Sequence, residues 1–374
     1  MTRFLFASLL LAGALLPAER RAKNVVLCLA DAGGIPTINA ASLHGYGGPR
    51  KLFVQRMPHI GLSDTTSTPN FVTDSAAGMT AIVTGHKTRN GFIAQSASGE
   101  RGVRDGVPLK TILEHAEERG LSTGLITNDA LTGATPAALY AKANDRSATA
   151  IIFPQIFAPR FGDGIDVMIG AGRPAIAKAL AASGLDADAL AREKERPLLT
   201  GLAAVARDAR RAIVLHDSAE FELAHALEVT RRMLSHNRKG YFLMVEWDTH
   251  TDNLRRGLDR MVALDRAIEH TARVAGPDTL LLFTADHSFD IRVRGGRDGS
   301  PLLEGLEEAE ASAAAEKRRD IRIPAVRMDN GHTGEEVLVA AQGPGATRVR
   351  GYMANTDLFG VMMDAFGWKE QVRR

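Results

Sequence analysis

The sequence predicts a three-layer α/β/α sandwich around a largely parallel central sheet. Three observations predict it. The 374 residues allow one large α/β domain or two modest ones, and 45% apolar with 24% charged residues is ordinary globular composition. Apolar runs of strand length alternate with stretches of helical spacing, the order expected when helices cover both faces of a parallel sheet. No internal repeat interrupts this alternation, and no linker divides it.

Residues 24–30 (NVVLCLA) open the series as a continuous apolar run, as in a strand buried on both faces. Residues 109–119 have helical spacing and are followed by Gly120, a ready C-cap, before 121–127 (LSTGLIT) return to strand. Residues 167–170 are strand-like, and the Ala-rich stretch 175–190 reads as one helix. A helix is expected at 203–211, a strand at 212–215 and a further helix at 221–237. Residues 241–245 (YFLMV) form another buried strand, 254–274 a long amphipathic helix, and 279–284 (TLLLFT) a strand again. The segment at about 302–320, rich in Glu, Ala, Lys and Arg, reads as an exposed helix or flexible insertion that could also cap a site.

The first residues read as an export signal. Met1-Thr2-Arg3 is a short basic start, residues 4–16 are almost wholly apolar, and Pro17 to Arg21 end the run. That run is shorter than the roughly 20 residues a membrane span needs. The expected division is a signal peptide over 1–22 and a single domain over 23–374, exported to the periplasm or outside the cell without stable membrane insertion. The net charge of +2 speaks against nucleic acid as a specific ligand. The one cysteine, Cys28, excludes an internal disulfide and any cysteine-rich metal site, so a bound metal must be held by Asp, Glu and His.

In parallel sheets functional groups gather past the carboxyl ends of strands. Reading just beyond each strand finds Asp31 after the first, Glu246, Asp248, His250 and Asp252 after YFLMV, and Asp286 with His287 after TLLLFT. One such carboxylate could be a helix cap. Three strand ends delivering carboxylates and imidazoles to one rim point to a metal site. Elsewhere, Ser75 in the run VTDSAAGMT lies near the start of a helix-like stretch, where backbone N–H groups favour an anion. No Gly-x-Ser-x-Gly elbow surrounds it, so a serine hydroxyl there needs a metal or another base for activation. The plainer alternative is that Asp74 or Ser75 is only a helix cap.

Residues 72–91 (VTDSAAGMTAIVTGHKTRNG) resemble the nucleophile region of the alkaline phosphatase family. LKTILEHAEERGLSTGLIT, GATPAALYAKANDR, DVMIGAGR, TADHS and HTGEEVLVAAQGPGA are similar to further blocks of that family, in its order. The resemblance implies a phosphate monoesterase with two zinc ions and one magnesium, in which Ser75 is the nucleophile. Asp31 looks like the carboxylate bridging one zinc and the magnesium, Asp286 and His287 like the other ligands of that zinc, and His332 like a ligand of the second zinc. Thr135 resembles the hydroxyl ligand of magnesium and Arg146 the phosphate-binding arginine, whose planar fork meets two phosphate oxygens.

Two departures from the family stand out. Where the family ends a strand on Glu and then presents Asp-x-x-x-His, this chain has the compressed run 246–252 (EWDTHTD). Either Glu246 serves magnesium while Asp248 with His250 or Asp252 holds zinc, or Glu246 and His250 replace the pair outright; Glu246, Asp248 and His250 form the preferred set. Gly133, in TGATP, stands where a family member carries a polar residue near magnesium. The implied chemistry is metal-assisted transfer of the phosphoryl group to Ser75 and then to water, on small phosphate monoesters, in a chain for which a homodimer is compatible with the resemblance. A phosphodiesterase of the same superfamily and a non-catalytic phosphate- or metal-binding protein are the alternatives, the second suggested by the compressed run. A sulfatase would need Cys/Ser-x-Pro-x-Arg, which Ser75-Ala76-Ala77 lacks.

Overall fold

The computed structural model describes residues 20–369. The apolar run read as an export signal lies outside the described residues. Thirteen strands follow in order: β1 (Asn24–Asp31), β2 (His59–Ser63), β3 (Ser122–Ala130), β4 (Val167–Ala171), β5 (Leu198–Leu199), β6 (Ala212–Leu215), β7 (Tyr241–Asp248), β8 (Thr279–Ala285), β9 (Ser288–Val293), β10 (Ile321–Arg322), β11 (Val326–Thr333), β12 (Val337–Gln342) and β13 (Gly351–Met353). Ten of them form one sheet in the order β13-β2-β12-β8-β1-β7-β3-β4-β6-β5. All its pairings are parallel except those of β12 with β2 and β8. The α/β sandwich expected from the sequence is the fold observed.

Alternation along the strands builds two cores. Leu27, Leu29, Leu125, Met244 and Leu282 face one side and pack with helices Ser75–Thr84, Ala134–Tyr140 and Asp357–Phe366. Val26, Cys28, Leu243, Val245 and Phe283 face the other, against Ile35–Tyr46, Leu223–Leu234 and Leu254–Val274. No helix among the described residues is long and apolar enough to cross a membrane.

Several expectations change in detail. The stretch 175–190 is two helices, Arg173–Ala181 and Ala187–Glu193, because Gly184 turns left-handed (φ +73°) and Asp186 caps a new start on Ala189 N–H. Of 203–211 only a short 3-10 turn, Leu202–Ala204, is helical; no residue from 201 to 211 is buried, so no packed face sustains a helix. The charged segment near 302–320 contains the helix Leu306–Ala315, yet Leu302, Leu303, Leu306 and Ala313 are buried in the second core. It is thus anchored, not a free-standing insertion. A second, three-stranded antiparallel sheet, β10-β11-β9, was not expected from the sequence, since polar β11 (VRMDNGHT) lacks an apolar run.

One contact seats the helix Ser75–Thr84 on the end of β8. A Cβ at Gly78 would lie 2.8 Å from the Asp286 backbone oxygen, so only glycine lets the helix approach this closely. We expect Gly78→Val to cost roughly 1–3 kcal/mol by overpacking, measured by urea denaturation.

Candidate active site

Register and alternation place the acidic residues on one face. Leu29 pairs with Glu246 and Thr284, and Glu246 with Thr127; two residues further along the four strands stand Asp31, Asp248, Asp286 and Asp129. They project from the same side as Leu27, Leu29 and Met244, the side that carries the helix Ser75–Thr84. That helix begins at Ser75 because Asp74 caps it, accepting from Ala77 N–H at 3.0 Å. The helix cap expected in this segment is observed. Asp74 is the cap, and Ser75, 2% exposed, is the first residue beyond it.

Around Ser75 the side chains converge. Its Oγ lies 3.2 Å from His287 Nε2, which in turn is 3.4 Å from Asp31 Oδ1 and 3.6 Å from Asp286 Oδ2. The other nitrogen of His287 faces the Ser288 carbonyl at 3.1 Å, which turns Nε2 toward these oxygens. Asp31, Asp286 and His287 form one cluster that could hold a metal ion, and His250, His287 and His332 form a second, each with ligand atoms within 4.8 Å of one another. His332 comes from β11; its ring stacks on that of His287 with centroids 3.8 Å apart. A cleft of about 330 Å³ opens over this ground, lined by Asp31, Ser75, Arg146, Asp248, His250 and His332 among others.

The protein atoms alone leave this charge uncompensated. Burial, then Asp286, pushes the Asp31 carboxyl well above the usual range, and burial with Asp129 and Asp31 does the same to Glu246. Asp31 Oδ1, Asp286 Oδ2, Glu246 Oε1 and Thr135 Oγ1 are buried without any hydrogen-bond partner. Orphaned hard oxygens beside imidazoles are the donor set a divalent cation requires, so the residues fit metal ions. His287 is lowered to about 4, mainly by burial, which keeps it a neutral donor. Burial lowers His250 too, but Asp31 and the Asp248 hydrogen bond outweigh it and raise the ring to about 9.

The compressed run resolves into a strand and a turn. β7 continues through Asp248, so Glu246 sits inside the sheet, where Thr127 Oγ1 donates to its Oε2. Asp248 stands between two partners: His250 Nδ1 at 2.8 Å from one oxygen, and Arg260 Nη1 at 2.7 Å from the other. Its carboxyl is accordingly held below the usual range despite burial, and it belongs to neither cluster. Asp252 lies at the rim of the cleft, 3.6 Å from Arg256. Arg146 approaches from the loop after Ala134–Tyr140; its Nη1 is 3.2 Å from Asp74 Oδ2, so the cap of the Ser75 helix also positions the arginine.

Asp129 is the site residue that sequence reading missed. It lines the cleft beside Arg146, and burial raises its carboxyl. The signal was available: Asn128 and Asp129 directly follow the strand-like run 121–127, and β3 continues through them to Ala130. A larger cavity, about 700 Å³, lies beyond Arg260 and Trp247, but it holds none of the clustered ligands. Chemistry, not volume, marks the site.

Comparison with known proteins finds matches over most of the chain. The family model described as alkaline phosphatase matches residues 22–199 and 185–317. The chain is 30% identical to streptomycin-6-phosphate phosphatase of Streptomyces griseus, over 92% of this chain and 91% of that protein. It is 27% identical to alkaline phosphatase of Escherichia coli, over 94% and 88%. Among solved structures, alkaline phosphatase of Thermus thermophilus superposes with a TM-score of 0.76 at 23% identity, covering 94% of this chain and 93% of that one. The enzyme from the Antarctic bacterium TAB5 gives 0.75 at 23%, covering 94% and 100%.

If the three-histidine cluster binds a metal, His250→Ala should lose about one divalent ion per chain and Asp252→Ala should lose none. Elemental analysis of the purified variants checks this ranking; the reverse would put Asp252 at the metal.

Proposed function

This chain belongs to the alkaline phosphatase family of phosphoester hydrolases, and on that premise we propose that it cleaves small phosphate monoesters through a phosphoserine at Ser75. The observation that carries the reading is Ser75 Oγ at the floor of a cleft, 3.2 Å from His287 Nε2, with Arg146 on the same cleft wall. Asp31, Asp286 and His287 would hold one zinc, His250 and His332 a second, and Asp31, Thr135 and Glu246 a magnesium. When bound, such ions lower the pKa of the serine hydroxyl and of the attacking water and take up phosphoryl charge.

The chain's own groups do the rest. Arg146 presents two N–H donors to non-bridging oxygens of the phosphoryl group. The N–H groups opening the Ser75 helix add positive potential beside it. In the first step the bond from Ser75 Oγ to phosphorus forms and the ester P–O bond breaks, releasing the alcohol. In the second, water oxygen bonds to phosphorus and the Ser75 P–O bond breaks, releasing inorganic phosphate. Asp248, braced by Arg260, orients His250 by hydrogen bond. Monoesters fit better than diesters because recognition rests on the phosphoryl oxygens, and a second ester arm would remove an oxygen charge. The apolar N-terminal run directs the chain out of the cytoplasm, to the periplasm or beyond.

Ser75→Ala should abolish release of p-nitrophenol from its phosphate while metal content and melting temperature stay unchanged; wild-type turnover by the variant would refute the nucleophile. The wild-type enzyme should act far more slowly on the bis-ester, and chelation should stop both. Arg146→Ala should weaken inhibition by inorganic phosphate roughly tenfold or more, with metal content retained. Loss of metal as its main effect would make Arg146 structural.

A further inference from the structure

A cavity of about 700 Å³, within the range of small-molecule sites, lies between the helices Leu223–Leu234 and Leu254–Val274. Its floor is apolar. Leu223, Leu227, Trp247 and Ala267 are buried, and Phe221 stands edge-on to Trp247 with ring centroids 5.4 Å apart. Alternation along β7 points Trp247 away from Glu246 and Asp248, into the second core. The cavity and the cleft over Ser75 nevertheless adjoin. Asp248 lines the cleft and Arg260 lines the cavity, and their ion pair, 2.7 Å from Oδ2 to Nη1, is the partition between the two. Arg256, one helical turn before Arg260, lines both.

Most charges around the cavity are satisfied locally. Arg260 also meets Glu220 at 3.0 Å, Asp259 meets His44 at 2.7 Å, and Arg266 donates to Tyr46 Oη at 3.3 Å. Arg255 and Arg256 are the exceptions. Arg256 has one carboxylate beside it, Asp252 at 3.6 Å, too long for a hydrogen bond, and both side chains are about half exposed. Arg255 makes no hydrogen bond or ion pair among the described residues, and the one lining carboxylate without a partner there is Glu222. Both arginines also stand in the first turn of a helix, beside N–H groups that are already positive, with no acidic residue in that turn. Two cations so placed disfavour the helix until an anion joins them.

We propose that this cavity receives the alcohol part of the phosphate ester, and that Arg255 and Arg256 select alcohols carrying a second anionic group on an apolar body. The inference rests on the monoesterase reading of the cleft. Arg146 takes the phosphoryl oxygens on the cleft wall, the apolar floor covers the body of the alcohol, and the arginine rim takes its anion. Arg256 is the residue common to both spaces, so a single bound ester meets it while its phosphorus stays over Ser75.

The test compares phenyl, 2-naphthyl and 6-carboxy-2-naphthyl phosphate on the metal-loaded protein. The ratio of kcat/KM for the carboxy ester over the plain naphthyl ester should fall about fivefold in Arg255→Gln/Arg256→Gln, the upper range for an exposed ion pair. An unchanged ratio would overturn the role of the arginines. Ala263→Phe fills the cavity from an exposed helix position and should lower 2-naphthyl relative to phenyl phosphate by about tenfold, as expected for losing the burial of one ring. An unchanged ratio there would place the alcohol elsewhere. Fluorescence titration of 6-hydroxy-2-naphthoate, the alcohol released from the carboxy ester, reads the cavity without turnover. It should bind the wild type about fivefold more tightly than the double arginine variant, and equal binding would overturn the proposal. If no ester turns over while that difference persists, the monoesterase reading falls and the anion preference of the cavity stands.

Discussion

Four aspartates at the end of four neighbouring strands set the terms for the rest of this protein. Asp129, Asp248 and Asp31 stand at the ends of β3, β7 and β1, and Asp286 just after β8, across the middle of the sheet, with Glu246 two residues behind Asp248. Parallel pairing in register brings them to one edge, and period-two alternation turns them to one face. Carboxylates this close repel and resist ionisation when buried, as the raised Asp31 and Glu246 show. The fold can keep them only by supplying positive charge.

The chain supplies part of that charge itself, and does so unevenly. Arg260 reaches from the long helix Leu254–Val274 to Asp248, and His250 takes the other oxygen, so this carboxylate is neutralised by side chains. Arg146 is held by Asp74 instead, within the cleft and available to an anionic substrate. Asp31, Asp286 and Glu246 keep buried oxygens with no hydrogen-bond partner. The division separates carboxylates that orient neighbours from those that suit cations, and it explains why the compressed run 246–252 need not signal a decayed site. Glu246 remains in the strand, and His250 still joins His287 and His332.

Much of this was legible in the chain order. Apolar runs such as NVVLCLA and TLLLFT marked central strands because burial on both faces leaves no polar alternation to confuse them with. The residues just past them, Asp31, Asp286 and His287, marked the site for the same reason: a buried strand has only its ends free to present polar groups. Local reading failed where stability comes from partners far along the chain. Polar β11 is a strand because β9 and β10 pair with it, and residues 203–211 are not a helix because nothing packs on them.

The sequence by itself determined the fold class, the place of Ser75 at a capped helix start, and most of the acidic and imidazole side chains gathered in the cleft, since each depends on short-range pattern or residue type. Tertiary structure decided which donors meet. His332 reaches His287 only through the antiparallel turn of β9 against β11, and Asp248 is diverted to Arg260 only because Leu254–Val274 packs across β7. Sequence spacing carries no information about distance between elements; the sheet register and the packing of helices upon it do.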